Sequence, residues 1–314
     1  MQSLVRKALD GDTRSIARII SMVENESPYA EEIMKSIYPY TGKAHIIGIT
    51  GSPGSGKSTL TDKLIDSFKK QGKSIGVIAV DPSSPFTGGA ILADRIRMQK
   101  HSVDPSVYIR SMGTRGSLGG LSKSTYEASM VLDACGKDII FIETVGVGQS
   151  EIDIVKIADS VCLILVPGMG DDIQIMKAGI MEIADIFVVN KADREGFERI
   201  VSEVKVMLDL AQHKGWNAPI LTTIAENGTG VQELADSLVG HMKFLTESEE
   251  GGRRKKARIN LEIREILQRE IARFAEKTLR DQYTKELMDS LVDKETDPYS
   301  VVKKVLDKAL SEHR

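Results

Sequence analysis

The chain has 314 residues, enough for one large α/β domain with helical additions or for two modest domains, so burial of a core is not limiting. Lysine plus arginine (42) nearly balance aspartate plus glutamate (45), and the formal charge of -3 offers no global attraction to nucleic acid or to an anionic membrane. No run approaches the roughly 18 uninterrupted apolar residues of a spanning helix, and the first residues lack the apolar core of a signal peptide, so a cytoplasmic protein with no membrane and no nucleic-acid partner is expected.

In chain order, Ile16, Ile19, Ile20 and Val23 make one apolar helical stripe and Ser27-Pro28 begins a second short helix, so residues 1–41 read as a helical extension. Ala44–Thr50 reads as a buried strand. It runs into Gly51-Ser52-Pro53-Gly54-Ser55-Gly56-Lys57-Ser58-Thr59, which fills the Gly-x4-Gly-Lys-Ser phosphate-binding pattern, and a helix from Leu60 to Lys70 follows. The glycines let successive backbone amides turn inward toward phosphate oxygens. Lys57 then reaches the β- and γ-phosphates and Ser58 is a ligand for Mg2+.

Further strand-length apolar runs follow at Ser74–Val80, Val107–Arg110, Asp138–Glu143, Ser160–Val166, Asp185–Asn190 and Ala218–Thr223, with helical stretches between them. Their apolar character is continuous rather than alternating, which predicts a mostly parallel sheet covered by helices on both faces. In such sheets ligands lie beyond the carboxyl ends of the strands, where every motif in this chain begins. Cys135 and Cys162 lie far apart with no metal-ligand spacing and read as reduced core thiols.

Asp81, after the second core strand, is placed to reach Mg2+ or its water; Asp94 sits in a helical segment where a solvated aspartate is the ordinary expectation. The glycine-rich stretch 111–120 reads as a loop near the site, and Arg110 or Arg115 either supplies transition-state charge or, the favoured reading, makes a structural or partner contact. Glu143 ends its strand where many GTPases carry aspartate, and either carboxylate holds Mg2+, usually through water. Gly146 then brings an amide to the γ-phosphate, so 146–151 is a candidate switch. Lys57, Glu143 and Gly146 are the candidate catalytic residues. Val147 stands where Ras-like enzymes carry the glutamine that orients the attacking water, with Gln149 two positions on, so slow intrinsic hydrolysis is expected.

Asn190-Lys191-Ala192-Asp193 follows a strand, and Asn-Lys-x-Asp in that position reads guanine. Asp193 accepts two hydrogen bonds from the N1-H and N2 amine of guanine, a donor pair that adenine lacks. Asn190 braces the loop, Lys191 lies over the ring, and the backbone amide of Ala225 is a softer candidate for the guanine carbonyl. GTP and GDP with Mg2+ are therefore the expected ligands.

Residues 247–256 form a charged, glycine-containing break that fits a linker or exposed turn, which gives a GTPase domain over 42–246 and a helical arm over 247–314. In the arm Ile263, Leu267, Ile271 and Phe274 share one helix face. That stripe packs on the chain's own core or, the favoured alternative, forms a subunit interface.

Taken together, the P-loop, Val-Asp-Pro-Ser-Ser-Pro, Arg-Ser-Met-Gly-Thr-Arg-Gly-Ser-Leu-Gly-Gly-Leu, Glu-Thr-Val-Gly-Val-Gly-Gln-Ser-Glu, Val-Pro-Gly-x-Gly-Asp-Asp-Ile-Gln and Asn-Lys-Ala-Asp resemble the MeaB/ArgK family over about residues 1–280. These are GTPase chaperones of methylmalonyl-CoA mutase in the SIMIBI class of P-loop proteins. The resemblance implies that Ser58, Asp81, Asp94 and Glu143 belong to the metal and nucleotide site. It further implies that 168–177 is an additional switch with Asp171 and Lys177 as coupling residues beside Gln149, and that a homodimer forms through the C-terminal helices. The implied function is a GTPase that gates cofactor loading into an adenosylcobalamin-dependent acyl-CoA mutase and protects it. The alternatives are an arginine/ornithine-type small-molecule kinase, against which Asn-Lys-x-Asp argues, and a nickel-insertion GTPase, which the missing Cys/His clusters disfavour.

Overall fold

The computed structural model describes residues 1–81, 99–101, 103–113, 123–144, 150–168, 183–210 and 215–311. Three helices lead the chain: α1 (Gln2–Leu9), α2 (Thr13–Glu24) and α3 (Ala30–Ile37). Asp12 caps α2 by accepting from the Ser15 amide at 2.8 Å, a local bond that an aspartate just before a helical stripe is suited to make. Strand β1 (His45–Gly51) and helix α4 (Lys57–Lys70) bracket the glycine-rich loop, and β2 (Ile75–Asp81) and β3 (Val107–Gly113) follow. After them come α5 (Lys123–Ala134), β4 (Ile139–Glu143), α6 (Ser150–Ile157), β5 (Ser160–Leu165), β6 (Ile186–Asn190), α7 (Phe197–Leu210), β7 (Ile220–Thr223) and α8 (Val231–Glu247).

The seven strands form one sheet in the order β3-β2-β4-β1-β5-β6-β7, and every adjacent pair is parallel. β1 therefore sits at the centre, buried along its whole length. The continuous apolar runs of the sequence have this cause, because each central strand is covered on both faces. Ile47, Ile49, Val77 and Phe141 pack toward Leu60, Leu64, Ile65 and Phe68 of α4 and Leu234 and Leu238 of α8. Ile46, Ile78 and Ile140 point the other way, into a cluster that contains Ile16, Ile19, Ile20, Ile33 and Ile37.

The N-terminal helices are thus part of the main core, covering one face of the sheet. Residues 1–254 form one compact unit. The Asp133 carboxylate at the end of α5 ties them to the sheet, accepting from the amides of Gly42, Lys43 and Ala44 at 2.5, 3.1 and 2.9 Å and so fixing the path into β1. Cys162 is buried and Cys135 half-buried; both are free, and burial pushes each thiol up to about 12, as expected of unreactive thiols. No helix among the described residues is long and apolar enough to cross a membrane.

Of the break expected at 247–256, only Ser248, whose backbone is extended, departs from helix, because α9 runs unbroken from Glu249 to Leu279 through Gly251, Gly252 and the basic run. Two internal glycines cost a helix roughly 1 kcal/mol each, but acidic residues at its start favour the dipole. Glu250 also pairs with Arg253 and, at 3.0 Å, with Arg254. Residues 255–314 form a second compact unit, comprising the rest of α9, α10 (Gln282–Val292) and α11 (Pro298–Ser311). The α9 stripe is exposed, at 58% for Ile263, 56% for Leu267 and 57% for Ile271.

A polar network is buried at the amino ends of the central strands. His241 of α8, fully buried, places Nδ1 2.6 Å from Ser160 Oγ, which is also 2.7 Å from His45 Nε2. Its Nε2 lies 3.4 Å from Asp185, and Asp185 accepts from Arg254 and from the Val161 amide, both at 2.8 Å. Burial, with help from the charges of Arg254 and His45, lowers the His241 imidazole to about 3, while burial raises the Asp185 carboxyl against the pull of Arg254.

A folded value near 3 against an ordinary 6.5 means that the unfolded chain takes up the proton first. The His241 contribution is therefore complete above pH 6.5 and is lost as pH falls from there toward 3, with a slope of up to about 1.4 kcal/mol per pH unit. The raised Asp185 carboxyl acts with the opposite sign. Urea unfolding of wild type and His241→Gln between pH 7.5 and 5 separates them: the variant should show the flatter pH dependence, and parallel curves would contradict the assignment.

Candidate nucleotide-binding site

The carboxyl ends of β1, β4, β6 and β7 bring the sequence motifs together. Parallel register sets Ile49 beside Glu143, Gly51 beside Ile164, and Asn190 beside Thr223, so the chain's chemical side chains emerge from one edge of the sheet. Two glycines allow the loop to lie this close. Gly51 has φ 142°, and a Cβ there would stand 2.3 Å from the Ile164 carbonyl oxygen. Gly56 has φ 91°, and a Cβ there would stand 2.4 Å from Asn190 Nδ2.

The amide of Asn190 joins the two halves of the site. Nδ2 donates to the Ser55 carbonyl at 2.8 Å, while Oδ1 accepts from Thr223 Oγ1 at 3.0 Å and from the Ala225 amide at 3.1 Å. The side chain is buried, 2% exposed. Lys191, in the left-handed region at φ 58°, extends over the loop and donates to the Gly54 carbonyl at 2.8 Å. Asp193 is exposed at the rim, open to a planar ligand with paired donors. The Ala225 amide, suggested by the sequence as a guanine contact, is here directed to Asn190, so it works first as part of the brace.

At the phosphate end, Lys57 is buried and donates to the carbonyls of Gly51 and Ser52 at 2.8 and 3.0 Å. Ser58 Oγ donates to Glu143 Oε1 at 2.5 Å, and Thr61 Oγ1 lies 3.3 Å from Glu143 Oε2 while also donating to the Lys57 carbonyl at 2.9 Å. A hydroxyl and a carboxylate held this close form a hard-oxygen pair of the kind Mg2+ takes. Ser55 Oγ is fully buried with no partner among the described residues, facing no cost only if a ligand or water meets it. The loop's backbone shape, the orphaned hydroxyl and the oxygen pair all fit a nucleotide with Mg2+.

Not every expected residue falls within this description. Asp81 is the last residue of β2, but its side chain lies outside the described residues, as do Asp94, Arg115, Gly146, Val147, Gln149, Asp171 and Lys177. Arg110 is described and is structural: its guanidinium pairs with Glu24 and donates to Ser21 Oγ at 3.2 Å, both on α2. The sequence singled out neither Thr61 nor the pairing of Thr223 with Asn190. Thr61 stands one helical turn after Lys57 and Ser58, a spacing that already placed it on their face, and Thr223 ends β7 opposite Asn190, a pairing visible only once strand register is known.

The family model described as "Methylmalonyl Co-A mutase-associated GTPase MeaB" matches residues 16–279. The chain belongs to the MeaB family of GTPases. A protein of Pyrococcus horikoshii named "Putative GTPase" is 52% identical over 312 residues, covering 98% of each chain. GTPase ArgK of Escherichia coli is 34% identical over 254 residues, covering 78% of this chain and 76% of that one. The methylmalonic aciduria type A homolog of Caenorhabditis elegans, a mitochondrial protein, is 34% identical over 280 residues, covering 81% of this chain and 69% of its own. Among solved structures, the LAO/AO transport system kinase superposes with a TM-score of 0.67 over 98% of this chain and 96% of that one; at 22% identity the likeness is one of fold. The family expected from the motifs is thereby established, and so is the P-loop α/β fold.

Gly56→Ala tests the brace. The added methyl must displace Asn190 and occupy a backbone region that glycine alone tolerates easily. GTP affinity by isothermal titration should fall at least about tenfold, equivalent to ~1.4 kcal/mol, with the fold retained by circular dichroism; unchanged affinity would remove Asn190 from the binding geometry.

Proposed function

We propose that this chain binds GTP with Mg2+, hydrolyses it to GDP and phosphate, and uses its nucleotide state to gate cofactor loading into an adenosylcobalamin-dependent acyl-CoA mutase, methylmalonyl-CoA mutase or a close relative, and to protect that enzyme. The observation that carries the nucleotide reading is the Asn190 amide, which locks the phosphate loop to the guanine-reading loop. The mutase reading is supported by family membership and by the name of the Caenorhabditis elegans relative.

In this reading Lys57 leaves the carbonyls of Gly51 and Ser52 for the β- and γ-phosphate oxygens, where its charge is greatest use as the leaving group develops. Ser58 and Glu143, with Asp81 and Asp94, hold the metal; Mg2+, when bound, neutralises phosphate charge. Gly146 and Gln149 respond to the γ-phosphate, and Asp171 and Lys177 transmit that response to the partner. The exposed stripe of Ile263, Leu267 and Ile271 supports a homodimer through the C-terminal helices, since apolar side chains at that spacing on a solvent-facing helix are suited to burial against a second copy. The proposed location is the cytoplasm.

Base recognition is tested by Asp193→Asn, which exchanges a double acceptor for an amide. GTP affinity should fall by one to several orders of magnitude, and xanthosine triphosphate should become the better ligand; unchanged GTP preference would sink the guanine reading. The partner is tested by capturing purified methylmalonyl-CoA mutase on the tagged protein with GTP, with GDP and without nucleotide. Retention that differs between nucleotide states is expected, and no retention in any state would remove the mutase from the proposal.

A further inference from the structure

A second group of side chains, on the flank of α4, takes no part in the nucleotide site. Asp62 and Asp66 stand one turn apart on this helix, facing His101 in the short helical turn Gln99–His101. His101 is 2% exposed, and its Nε2 lies 3.1 Å from Asp62 Oδ1 and 3.8 Å from Asp66 Oδ1. Nε2 and Asp62 Oδ1 are both buried, and neither has a hydrogen-bond partner among the described residues, the two atoms being close without alignment for a bond. One ligand atom from each of the three side chains lies within 4.8 Å of the other two. The outer carboxylate oxygens are held by Lys100, whose ammonium is 2.7 Å from Asp62 Oδ2 and 2.8 Å from Asp66 Oδ2.

Two adjacent buried polar atoms, each without a bond, call for a cause. A cation accepting lone pairs from both removes the cost without demanding the alignment of a proton. With ligand distances of about 2.0–2.2 Å, a tetrahedral zinc ion places its ligands roughly 3.3–3.6 Å apart, and the observed 3.1 and 3.8 Å lie on either side of that. The imidazole selects among metals, since Mg2+ and Ca2+ favour oxygen ligands alone, whereas Zn2+ and Co2+ take nitrogen and carboxylate together. Lys100 fixes the carboxylates from the outside, so their inner oxygens are turned toward His101.

We propose that Asp62, Asp66 and His101 form a second divalent-metal site, for a transition ion of the Zn2+ class, distinct from the Ser58–Glu143 pair. Its ion ties the turn Gln99–His101 to the helix that follows the phosphate loop. With Asp62 one turn beyond Ser58, the two sites share that helix.

The test is titration of the full chain with Zn2+ in excess Mg2+, followed by Co2+ absorption spectroscopy, on wild type, His101→Gln, Asp66→Asn and Ser58→Ala. One Zn2+ per chain is expected in wild type and in Ser58→Ala, with affinity reduced at least about tenfold in both His101→Gln and Asp66→Asn and the Co2+ ligand-field bands lost with it. Should His101→Gln fail to fold, the half-exposed Asp66→Asn carries the comparison alone. Absence of Zn2+ binding in wild type would leave an ordinary imidazole–carboxylate pair and overturn the proposal. So would binding unchanged by loss of His101 or Asp66, or binding lost in Ser58→Ala.

Discussion

One side-chain amide holds the nucleotide site in a single geometry. Asn190 donates to the phosphate loop and accepts from the end of β7 and the loop beyond it, so three segments from distant parts of the sequence are joined by two of its atoms, Nδ2 and Oδ1. Aspartate has no donor for the Ser55 carbonyl, and glutamine is a methylene too long for a cradle in which even a Cβ on Gly56 has no room. Because the group is buried, its bonds are not exchanged with water and are stronger for it. Lys191, left-handed at the next position, and the exposed Asp193 follow directly from that anchored residue along the chain.

The sheet and the site were largely legible in the sequence for a shared physical reason. Inner strands buried on both faces must be continuously apolar, so Ile46–Thr50 or Val161–Leu165 stand out against the polar helical faces between them. The phosphate loop and the guanine motif are contiguous and their chemistry is local, so residue type and spacing suffice to find them. What was not legible depends on partners remote in the chain. Glycines 251 and 252 looked like a break because their helix is held by Glu250–Arg254 pairing and by the bond from Arg254 to Asp185, sixty-nine residues away. The N-terminal stripe showed that a face must be buried but not that it would pack against α5 and join the cluster containing Ile78 and Ile140. His101 carried no motif at all, and its importance arises from the approach of Asp62.

The two ends of the sheet solve different electrostatic problems. At the carboxyl end polar atoms are gathered for a ligand, and their mutual bonds are ones a nucleotide and a metal can replace. At the amino end the polar atoms turn mainly to one another: His241, Ser160, His45, Asp185 and Arg254 form a chain in which burial keeps the His241 imidazole neutral and the guanidinium answers the carboxylate, while His241 Nε2, 3.4 Å from Asp185 Oδ1, makes no hydrogen bond among the described residues. Such a network adds little net stability compared with an apolar core of the same shape, but it resists rearrangement because each broken bond leaves a buried group unpaired. Trp216 closes it, donating to the Asp185 carbonyl at 2.8 Å with its ring 4.8 Å from that of His241.

An open parallel sheet has two outer strands whose backbone groups are available to other chains. The β7 strand is four residues long, Ile220–Thr223, and its only well-buried member is Thr223, the residue engaged with Asn190. An edge this brief offers an incoming strand too few rungs to grow on. The residue that terminates the sheet at that side is thus committed to holding Asn190, and the same shortness that makes β7 a weak sequence signal discourages the protein from recruiting copies of itself into fibrous aggregates.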